Sequence, residues 1–203
     1  MKRDPETIFV YLVCVILAGY GIQAVLIGDT FRLVAVLVPS VLLALIPVAA
    51  EKGLEIRFPA GMKSLVALSL LLHVAGGISR FYWKFAPFYD KVAHVVSAAA
   101  VVMLVFVLFL ILDYYNIRAK KPVMLGVIII ISVFFMVAWE AGEYFIDMLV
   151  KSSYNNGLED TIGDLIADVI GLVIGLMLIR HHVGSLGEGE GLSSLLFERN
   201  IPD

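Results

Sequence analysis

Six long apolar stretches alternate with short polar segments along the chain. They lie near residues 8–27, 31–50, 64–79, 91–113, 123–150 and 161–180. A helix needs roughly 20 apolar residues to cross a bilayer, and turn-forming residues lie between the stretches, as at 28–30 and 155–157. We therefore expect an all-α polytopic membrane protein. Its bundle of six transmembrane helices would form one domain over residues 1–183, followed by a flexible cytoplasmic tail at 184–203.

Composition and charge agree with a chain that is surrounded by lipid. The sequence is 61% hydrophobic and 16% charged, whereas charged residues make up roughly a quarter of a soluble domain. The formal net charge is -3 and the basic residues are scattered, so nucleic acid is not expected as a partner. The first apolar stretch is longer than the apolar region of a secretory signal, and we interpret it as a retained helix.

Lysine and arginine are distributed unevenly between the two sides of the predicted bundle. With the N-terminus inside, the cytoplasmic segments hold ten of these residues and the outer segments hold five. Cytoplasmic loops of membrane proteins carry an excess of positive charge. The distribution predicts a multi-pass protein of the cell membrane with both termini in the cytoplasm. Membrane lipids are its expected partners, and the sequence leaves the oligomeric state open.

Ionisable residues gather at one end of the last four apolar stretches. Because successive helices alternate in direction, these residues all fall in the outer half of the bundle. Spacings of three, four or eight residues place each set on one helix face. This polar core, within residues 64–180, comprises His73, Asp90, His94, Glu140, Glu143, Asp147, Asp160, Asp164 and Asp168.

Some of these residues have an ordinary structural explanation. Asp90 and Asp160 stand at helix starts and can act as N-caps, each worth about 1 kcal/mol. A lone histidine such as His73 is more often a hydrogen-bonded packing residue than a ligand. Asp168 lies about 12 Å further along its helix than Asp160, and Glu140 is similarly deep. Capping therefore cannot explain Asp168 or Glu140.

Seven carboxylates and one histidine in a partly dry pocket need a positive counterpart. Each pair of like charges about 4 Å apart costs about 4 kcal/mol at an effective dielectric constant of about 20. The counterpart can be a bound metal ion, protons on the carboxyl groups, or the nearby Arg80, Lys84 and Lys91. We favour a divalent metal ion, Zn2+, Mg2+ or Mn2+, with Ca2+ also compatible with the oxygen donors. The predicted ligands are His94, Glu140, Glu143, Asp164 and Asp168, with Asp90, Asp147 and His73 as secondary candidates.

The loop at residues 80–89 mixes cations with aromatic residues. Its simplest interpretation is an aromatic belt at the membrane interface. The alternative is an entrance that recognises an anionic lipid head group. In that case Arg80, Lys84 and Tyr144 would bind the substrate.

Three ordered motifs carry a resemblance to known families. They are Asp90-Lys91-x-x-His94, Trp139-Glu140-x-x-Glu143-Tyr144 and Asp160-Thr161-x-x-Asp164-Leu165-x-x-Asp168-x-x-Gly171. On these motifs the chain resembles the YjdF-type uncharacterised integral membrane proteins and, more distantly, VanZ-like proteins. The resemblance implies a six-helix fold with a polar site and implies no established reaction. VanZ-like proteins are associated with glycopeptide-antibiotic resistance, but they usually have Gln where this chain has Glu143, so that role is not carried over.

Three functions fit this pattern. The first is a metal-dependent membrane hydrolase or transferase acting on a lipid or lipid-linked phosphate, with Asp160 as general base and Glu143 in the catalytic set. The second is a proton- or cation-coupled transporter, which the apolar inner halves of the last three stretches disfavour. The third is a structural or sensory subunit whose polar cluster fastens the helices together.

Overall fold

The protein is helical throughout the residues that its computed structural model describes, 4–150 and 155–197, apart from the connecting turns and loops. The six long helices are α1 (Pro5–Leu26), α2 (Thr30–Leu54), α3 (Met62–Ile78), α4 (Phe88–Tyr114), α5 (Lys121–Val150) and α6 (Leu158–Gly184). A short helical turn, Phe81–Lys84, precedes α4, and a 3-10 helix, Leu192–Leu196, follows α6. Each long helix coincides with one predicted stretch, with its ends displaced by a few residues. Four residues of the charge count lie outside the described ranges: Lys2, Arg3, Lys151 and Arg199.

Five of the long helices, all except α3, are long and apolar enough to cross a membrane. The expectation of an all-helical, multi-pass membrane architecture is thus confirmed. Helix α3 has 17 residues. At about 1.5 Å per residue it is about 26 Å long, near the lower limit for crossing the hydrocarbon core. A sixth crossing therefore stays a prediction.

Local sequence explains where α1 begins and how α2 is shaped. The carboxylate of Asp4 accepts hydrogen bonds from the backbone of Glu6 and Thr7 at 3.3 Å and caps α1. Helix α2 contains a π-helical turn, Leu33–Leu37, followed by Pro39 and Pro47. Both features are typical of kinked helices, because they interrupt the regular backbone hydrogen bonds.

Helix α4 is the centre of the bundle. It packs against α3, α5 and α6 and is the most buried of the five candidate spans. One apolar cluster joins α4 to its neighbours around Phe106, Leu110 and Ile179. A second cluster joins α1, α2 and α3 around Leu17 and Val74. The outward faces of the other helices are covered with large exposed apolar side chains, as expected for surfaces in contact with lipid.

Glycines allow α4 and α6 to approach closely. A Cβ atom added at Gly171 would lie 2.3 Å from the carbonyl oxygen of Val95 and 2.7 Å from the Cβ of Ala98. At Gly175 it would lie 2.6 Å from Val102. Gly171 faces Val95, and Gly175, one turn later in α6, faces Val102, which comes later in α4. The two helices therefore run parallel. Their first turns therefore share one end of the bundle, which we call the polar end.

The opposite end, which we call the terminal end, is held by a buried lysine. The ammonium group of Lys63 is 3% exposed, donates to Glu51 and lies 2.5 Å from Asp4. These contacts join α1, α2 and α3. The chain beyond α6 also lies against this end, because Leu196 is buried and its carbonyl oxygen accepts from the backbone of Arg57 at 2.7 Å.

Candidate metal centre

Six carboxylates surround one imidazole at the polar end. The start of α4, the second half of α5 and the first half of α6 supply them. Each of the six groups closest to the centre is at most 9% exposed. These groups are Asp90, His94, Glu140, Glu143, Asp164 and Asp168, and Asp160 lies beside them. The structure therefore brings together all five predicted metal ligands, the predicted base Asp160 and the secondary candidate Asp90.

The imidazole of His94 is fixed by Asp168. Its Nδ1 lies 3.1 Å from Oδ1 of Asp168, which is a hydrogen-bond distance. On the other side of the ring, Nε2 lies 3.5 Å from Asp164 and 3.8 Å from both Asp90 and Glu140. If Nδ1–H donates to Asp168, the lone pair of Nε2 points at these carboxylates. A carboxylate behind a histidine in this way is the usual arrangement for a metal-bound imidazole.

Lys91 supplies part of the positive charge that the sequence requires. Its Nζ lies 2.6 Å from Asp160 and 2.8 Å from Asp164, so it ties α4 to α6. Of the three basic residues considered above, it alone makes ion pairs with these carboxylates in the described part of the chain. Together with a protonated His94 it would offset two of the six carboxylates. The centre therefore still needs cations or protons.

Glu140 and His94 place buried polar atoms without partners inside the centre. Both carboxylate oxygens of Glu140 and Nε2 of His94 are buried and form no hydrogen bond of normal length within residues 4–150 and 155–197, although the side chain of Thr161 lies near Glu140. A buried polar atom without a partner costs roughly 1–3 kcal/mol, so such an atom usually marks a place where an ion or a water molecule binds. The neighbouring Glu143 accepts a hydrogen bond from Nε1 of Trp139 at 3.0 Å.

Two trios of side chains have the spacing of a metal site. The possible ligand atoms of Asp90, His94 and Asp164 lie within 4.8 Å of one another, and so do those of His94, Glu140 and Glu143. Both trios contain His94, and its Nε2 can bind one ion. Lys91 lies 2.8 Å from Asp164, so its ammonium repels a cation in the first trio.

The second trio fits a metal ion better, because the ion pairs of Lys91 are made with Asp90, Asp160 and Asp164 and not with its two carboxylates. Zn2+ binds nitrogen and oxygen at roughly 2.0–2.2 Å, so two ligands of one ion lie about 3–4 Å apart. The distance from Nε2 of His94 to Oε1 of Glu140 is 3.8 Å. The trio of His94, Glu140 and Glu143, which we call the metal trio, therefore offers one imidazole and two carboxylates at suitable spacing.

His73 belongs to a neighbouring hydrogen-bonded network. Its Nδ1 lies 2.5 Å from the hydroxyl of Tyr82 and its Nε2 lies 3.0 Å from Ser97. Ser97 in turn contacts Ser69 at 2.7 Å. The ring of Trp139 packs 4.8 Å from the imidazole, centroid to centroid. Both ring nitrogens are thus satisfied, which agrees with the interpretation of His73 as a packing residue.

The two basic residues expected to bind substrate lie on aromatic rings. The guanidinium of Arg80 is 5.3 Å from the centroid of Trp83, and Nζ of Lys84 is 5.7 Å from that of Phe81. Both basic side chains are exposed. This arrangement agrees with an interfacial aromatic belt, and binding of a head group by these residues stays a prediction.

Two further candidates lie away from the centre. Asp147 accepts a hydrogen bond from the backbone of Asn155 at 2.8 Å and so links the end of α5 to Asn155. Tyr144 is 58% exposed, and its ring packs beside Phe145 on the outer surface of α5. Neither contributes to the two trios, and a role of Tyr144 in substrate binding stays a prediction.

The centre lies between two cavities. The smaller, of about 280 Å³, opens at the polar end and is lined by residues that include Trp83, Asp90 and Asp160. The larger, of about 610 Å³, is lined mostly by apolar side chains and reaches His94 and Asp168. The carboxylate cluster is therefore accessible from a polar pocket on one side and from an apolar cavity on the other.

Sequence reasoning named Lys91 as one possible positive counterpart but missed several contacts of this site. The link from Trp139 to Glu143 has a visible signal, because residues four apart on a helix are neighbours. The ion pairs of Lys91 with Asp160 and Asp164 depend on how α6 packs against α4. Ser97 likewise joins the network only through the packing of α3 on α4.

The fold and the centre together define a multi-pass integral membrane protein with a buried histidine and carboxylate cluster that has the spacing of a metal site. The chain belongs to the family described as predicted membrane protein (DUF2238), which it matches over residues 6–184. That range contains the six long helices except Pro5, the first residue of α1, and every residue of the centre. No curated protein sequence and no solved structure matches the chain significantly. The finer resemblance to YjdF-type and VanZ-like proteins stays a prediction.

Proposed function

We propose that this protein is a membrane-embedded, divalent-metal-dependent enzyme acting on a lipid or lipid-linked phosphate. The observation that carries the proposal is the set of buried, unpartnered atoms on His94 and Glu140, considered within the described residues. Three protein ligands with an open coordination position are typical of catalytic zinc sites. The metal trio supplies that number, and its mixed nitrogen and oxygen donors favour Zn2+ or Mn2+ over Mg2+.

Each residue of the centre has a distinct role in this proposal. His94, Glu140 and Glu143 hold the ion, which would polarise a phosphoryl oxygen or lower the pKa of a bound water. Asp168 contacts the far side of the imidazole and keeps Nε2 directed at the ion, so it acts as an orienting residue. This division differs from the sequence-based set, in which Asp164 and Asp168 were also ligands.

Asp90 suits the role of general base better than Asp160. Both line the polar pocket, where water and a head group would enter. Asp160 is engaged by Lys91 at 2.6 Å and by the backbone of Asn156 at 3.1 Å. Asp90 has longer contacts of 3.8 Å with the same ammonium and with Nε2 of His94, which leave it better able to accept a proton. Lys91, beside the pocket, would attract the phosphate.

We also propose that both termini lie in the cytoplasm and that the polar pocket opens on the outer face. The distribution of lysine and arginine supports this orientation. The same distribution leaves the terminal end of the bundle rich in basic residues.

An enzyme accounts for the bundle better than a transporter does. A carrier needs polar access from both sides of its site. Below the centre, α4 and its neighbours are filled by fully buried apolar side chains such as Phe106, Leu110 and Ile128. A purely structural role explains the ion pairs of Lys91, but it leaves the unpartnered carboxylate of Glu140 without a reason.

Turnover of phosphate lipids tests the enzyme proposal. The full chain is reconstituted with a panel of phosphate-bearing lipids, and release of phosphate or transfer of the head group is measured before and after chelation. Glu140→Gln should lower turnover by about 100-fold or more, because ligand loss exceeds the effect of an orienting residue. Glu159→Gln, an exposed change of the same kind, should retain turnover. Turnover that survives both chelation and Glu140→Gln would contradict the proposal.

A further inference from the structure

The larger cavity has an apolar body and a polar inner end. Side chains from α2, α3, α4 and α5 line the body, among them Leu43, Leu70, Val101 and Phe135. The polar residues at its inner end are Ser69, His73, His94, Ser97 and Asp168. The two ends of the cavity therefore suit the two parts of an amphiphilic molecule.

We propose that this cavity binds one hydrocarbon chain of a single-chain phosphate amphiphile, with the phosphate directed at the metal trio. The assignment of the phosphate rests on the proposed function. The assignment of the chain rests on the cavity alone.

The size of the cavity fits one chain. Its volume of about 610 Å³ lies within the roughly 300–1,000 Å³ of typical ligand sites. A water molecule occupies about 30 Å³, and a methylene group is of similar size, so the cavity holds about 20 such groups. This is enough for one long chain and too small for the two chains of an ordinary bilayer lipid.

The body of the cavity is open toward the membrane. Several of its lining side chains belong to the exposed outer surface, including Leu43 at 49%, Leu104 at 42% and Phe135 at 52%. Part of the wall is the segment of α2 that contains Pro39 and Pro47, where regular helix packing is interrupted. A chain can thus enter sideways from the bilayer without crossing the polar pocket.

Two buried polar atoms distinguish this cavity from an ordinary gap filled by bulk lipid. Nε2 of His94 and Oδ2 of Asp168 have no hydrogen-bond partner in the described ranges, and both residues line the cavity. Their side chains are 3% and 5% exposed. A purely apolar occupant would leave these atoms unsatisfied, which is costly. An occupant whose phosphate binds the ion on Nε2 of His94 places its polar head at this end of the cavity and fills the apolar body with its chain.

Fluorescence of Trp139 can report occupancy. The chain has two tryptophans, Trp83 and Trp139, and Trp139 lines the cavity. In a Trp83→Phe background, the full chain is placed in phosphatidylcholine nanodiscs and titrated with dibromo-octadecyl phosphate, whose bromines quench a nearby indole. We expect saturable quenching at mole fractions where dibrominated phosphatidylcholine quenches only weakly and in proportion to its amount.

Filling the cavity should weaken this quenching. Val101→Phe should raise the half-saturating mole fraction about tenfold, because the added ring occupies the space of the chain. Leu43→Phe, on the exposed wall of the cavity, should also raise the half-saturating mole fraction. Because Leu43 is not buried, this variant does not require the core to repack. Val133→Phe is the matched control, since Val133 is exposed on α5 outside the cavity lining. Equal, unsaturable quenching by both brominated lipids, unchanged by Val101→Phe and Leu43→Phe, would mean that the cavity holds bulk lipid only and would overturn the proposal.

The chain site and the enzyme can fail separately. Saturable quenching in a protein that binds no metal supports the chain site and contradicts the metal-dependent enzyme. Metal binding without saturable quenching supports the metal centre and overturns the chain site.

Discussion

Asp168 and Lys91 hold the polar end together at the level of single side chains. Asp168 contacts Nδ1 of His94 from below, and Lys91 forms ion pairs with Asp160 and Asp164 at the mouth. What they leave is a buried carboxylate, Glu140, whose two oxygens have no hydrogen-bond partner among the described residues. The proposed ion would bind at Glu140, which neither Asp168 nor Lys91 contacts.

Replacing Asp168 should weaken metal binding without removing a ligand. An amide in Asp168→Asn no longer attracts the Nδ1 proton as a carboxylate does, so the imidazole loses its preferred tautomer and basicity. We expect affinity for Zn2+ or Mn2+ to fall by about 10–100-fold in calorimetric titration. Asp113→Asn is the control, because Asp113 bonds to Ser193 at the terminal end. Equal affinity in both variants would show that Asp168 does not orient His94.

At the terminal end, Asp4 should make stability depend on pH. Burial raises the pKa of Asp4. Hydrogen bonds from Lys63 and Thr7 and the charge of Lys63 lower it by more than burial raises it, so the pKa lies below its ordinary value of 3.8. Because the folded-state pKa is below the unfolded one, the carboxylate stabilises the fold above about pH 4. That stabilisation is lost as the pH falls through the folded-state pKa.

Asp4→Asn isolates this charge effect, because asparagine is also a good N-cap. Thermal unfolding of both proteins in detergent should give a higher midpoint for the wild type near neutral pH. The difference should shrink as the pH falls below about 4. A difference that stays constant across this range would contradict the role of the Asp4 carboxylate.

At the scale of helices, the positions of α4 and α6 decide whether the centre forms. Their contact depends on Gly171 and Gly175, which leave room for the backbone and side chains of α4. The same contact sets the distance between His94 and Asp168. A change in the packing of α4 against α6 therefore also changes the geometry of the centre.

Gly171→Ala should disturb both together. The added methyl would meet the carbonyl of Val95 at 2.3 Å, so α6 must move away, at a cost of about 1–3 kcal/mol in the free energy of unfolding. Gly126→Ala in α5 is the matched control, since its Cβ would meet nothing within 4 Å. It should be neutral or stabilise by up to about 1 kcal/mol. Thermal unfolding and metal titration measure both effects, and a Gly171→Ala protein equal to the control would refute the close contact.

The sequence predicted the helices because their length and apolar character are local properties. Their ends were less predictable, since the first helix begins at a cap formed by Asp4. Spacing along a helix also predicted that Asp90 and His94 share a face. It could not predict that Lys91 reaches Asp160, because that contact depends on the placement of α6 beside α4.

At the scale of the whole molecule, the bundle has one polar end and one apolar interior. The centre lies between a polar pocket and a membrane-facing cavity, and the contact of α4 with α5 and α6 below it is filled by buried apolar side chains. This asymmetry suits chemistry at one membrane surface. The orientation of the bundle in the membrane therefore determines which membrane surface would supply the substrate.

Cysteine labelling should show the polar end on the outer face. In a Cys14→Ser background, which removes the chain's one cysteine, Asn156→Cys lies at the polar end and Lys120→Cys lies at the terminal end. A membrane-impermeant maleimide should label Asn156→Cys in intact cells. It should label Lys120→Cys only after permeabilisation. The reverse pattern would contradict the proposed orientation.

The number of divalent ions bound per chain tests the central claim most directly. Elemental analysis is applied to protein purified without chelator and after reloading with Zn2+ or Mn2+, for the wild type, Glu140→Gln and the exposed control Glu159→Gln. The metal trio predicts about one ion per chain in the wild type and the control, and loss of that ion in Glu140→Gln. A wild-type protein that binds no divalent ion after reloading, or a Glu140→Gln variant that binds as much as the control, would contradict it.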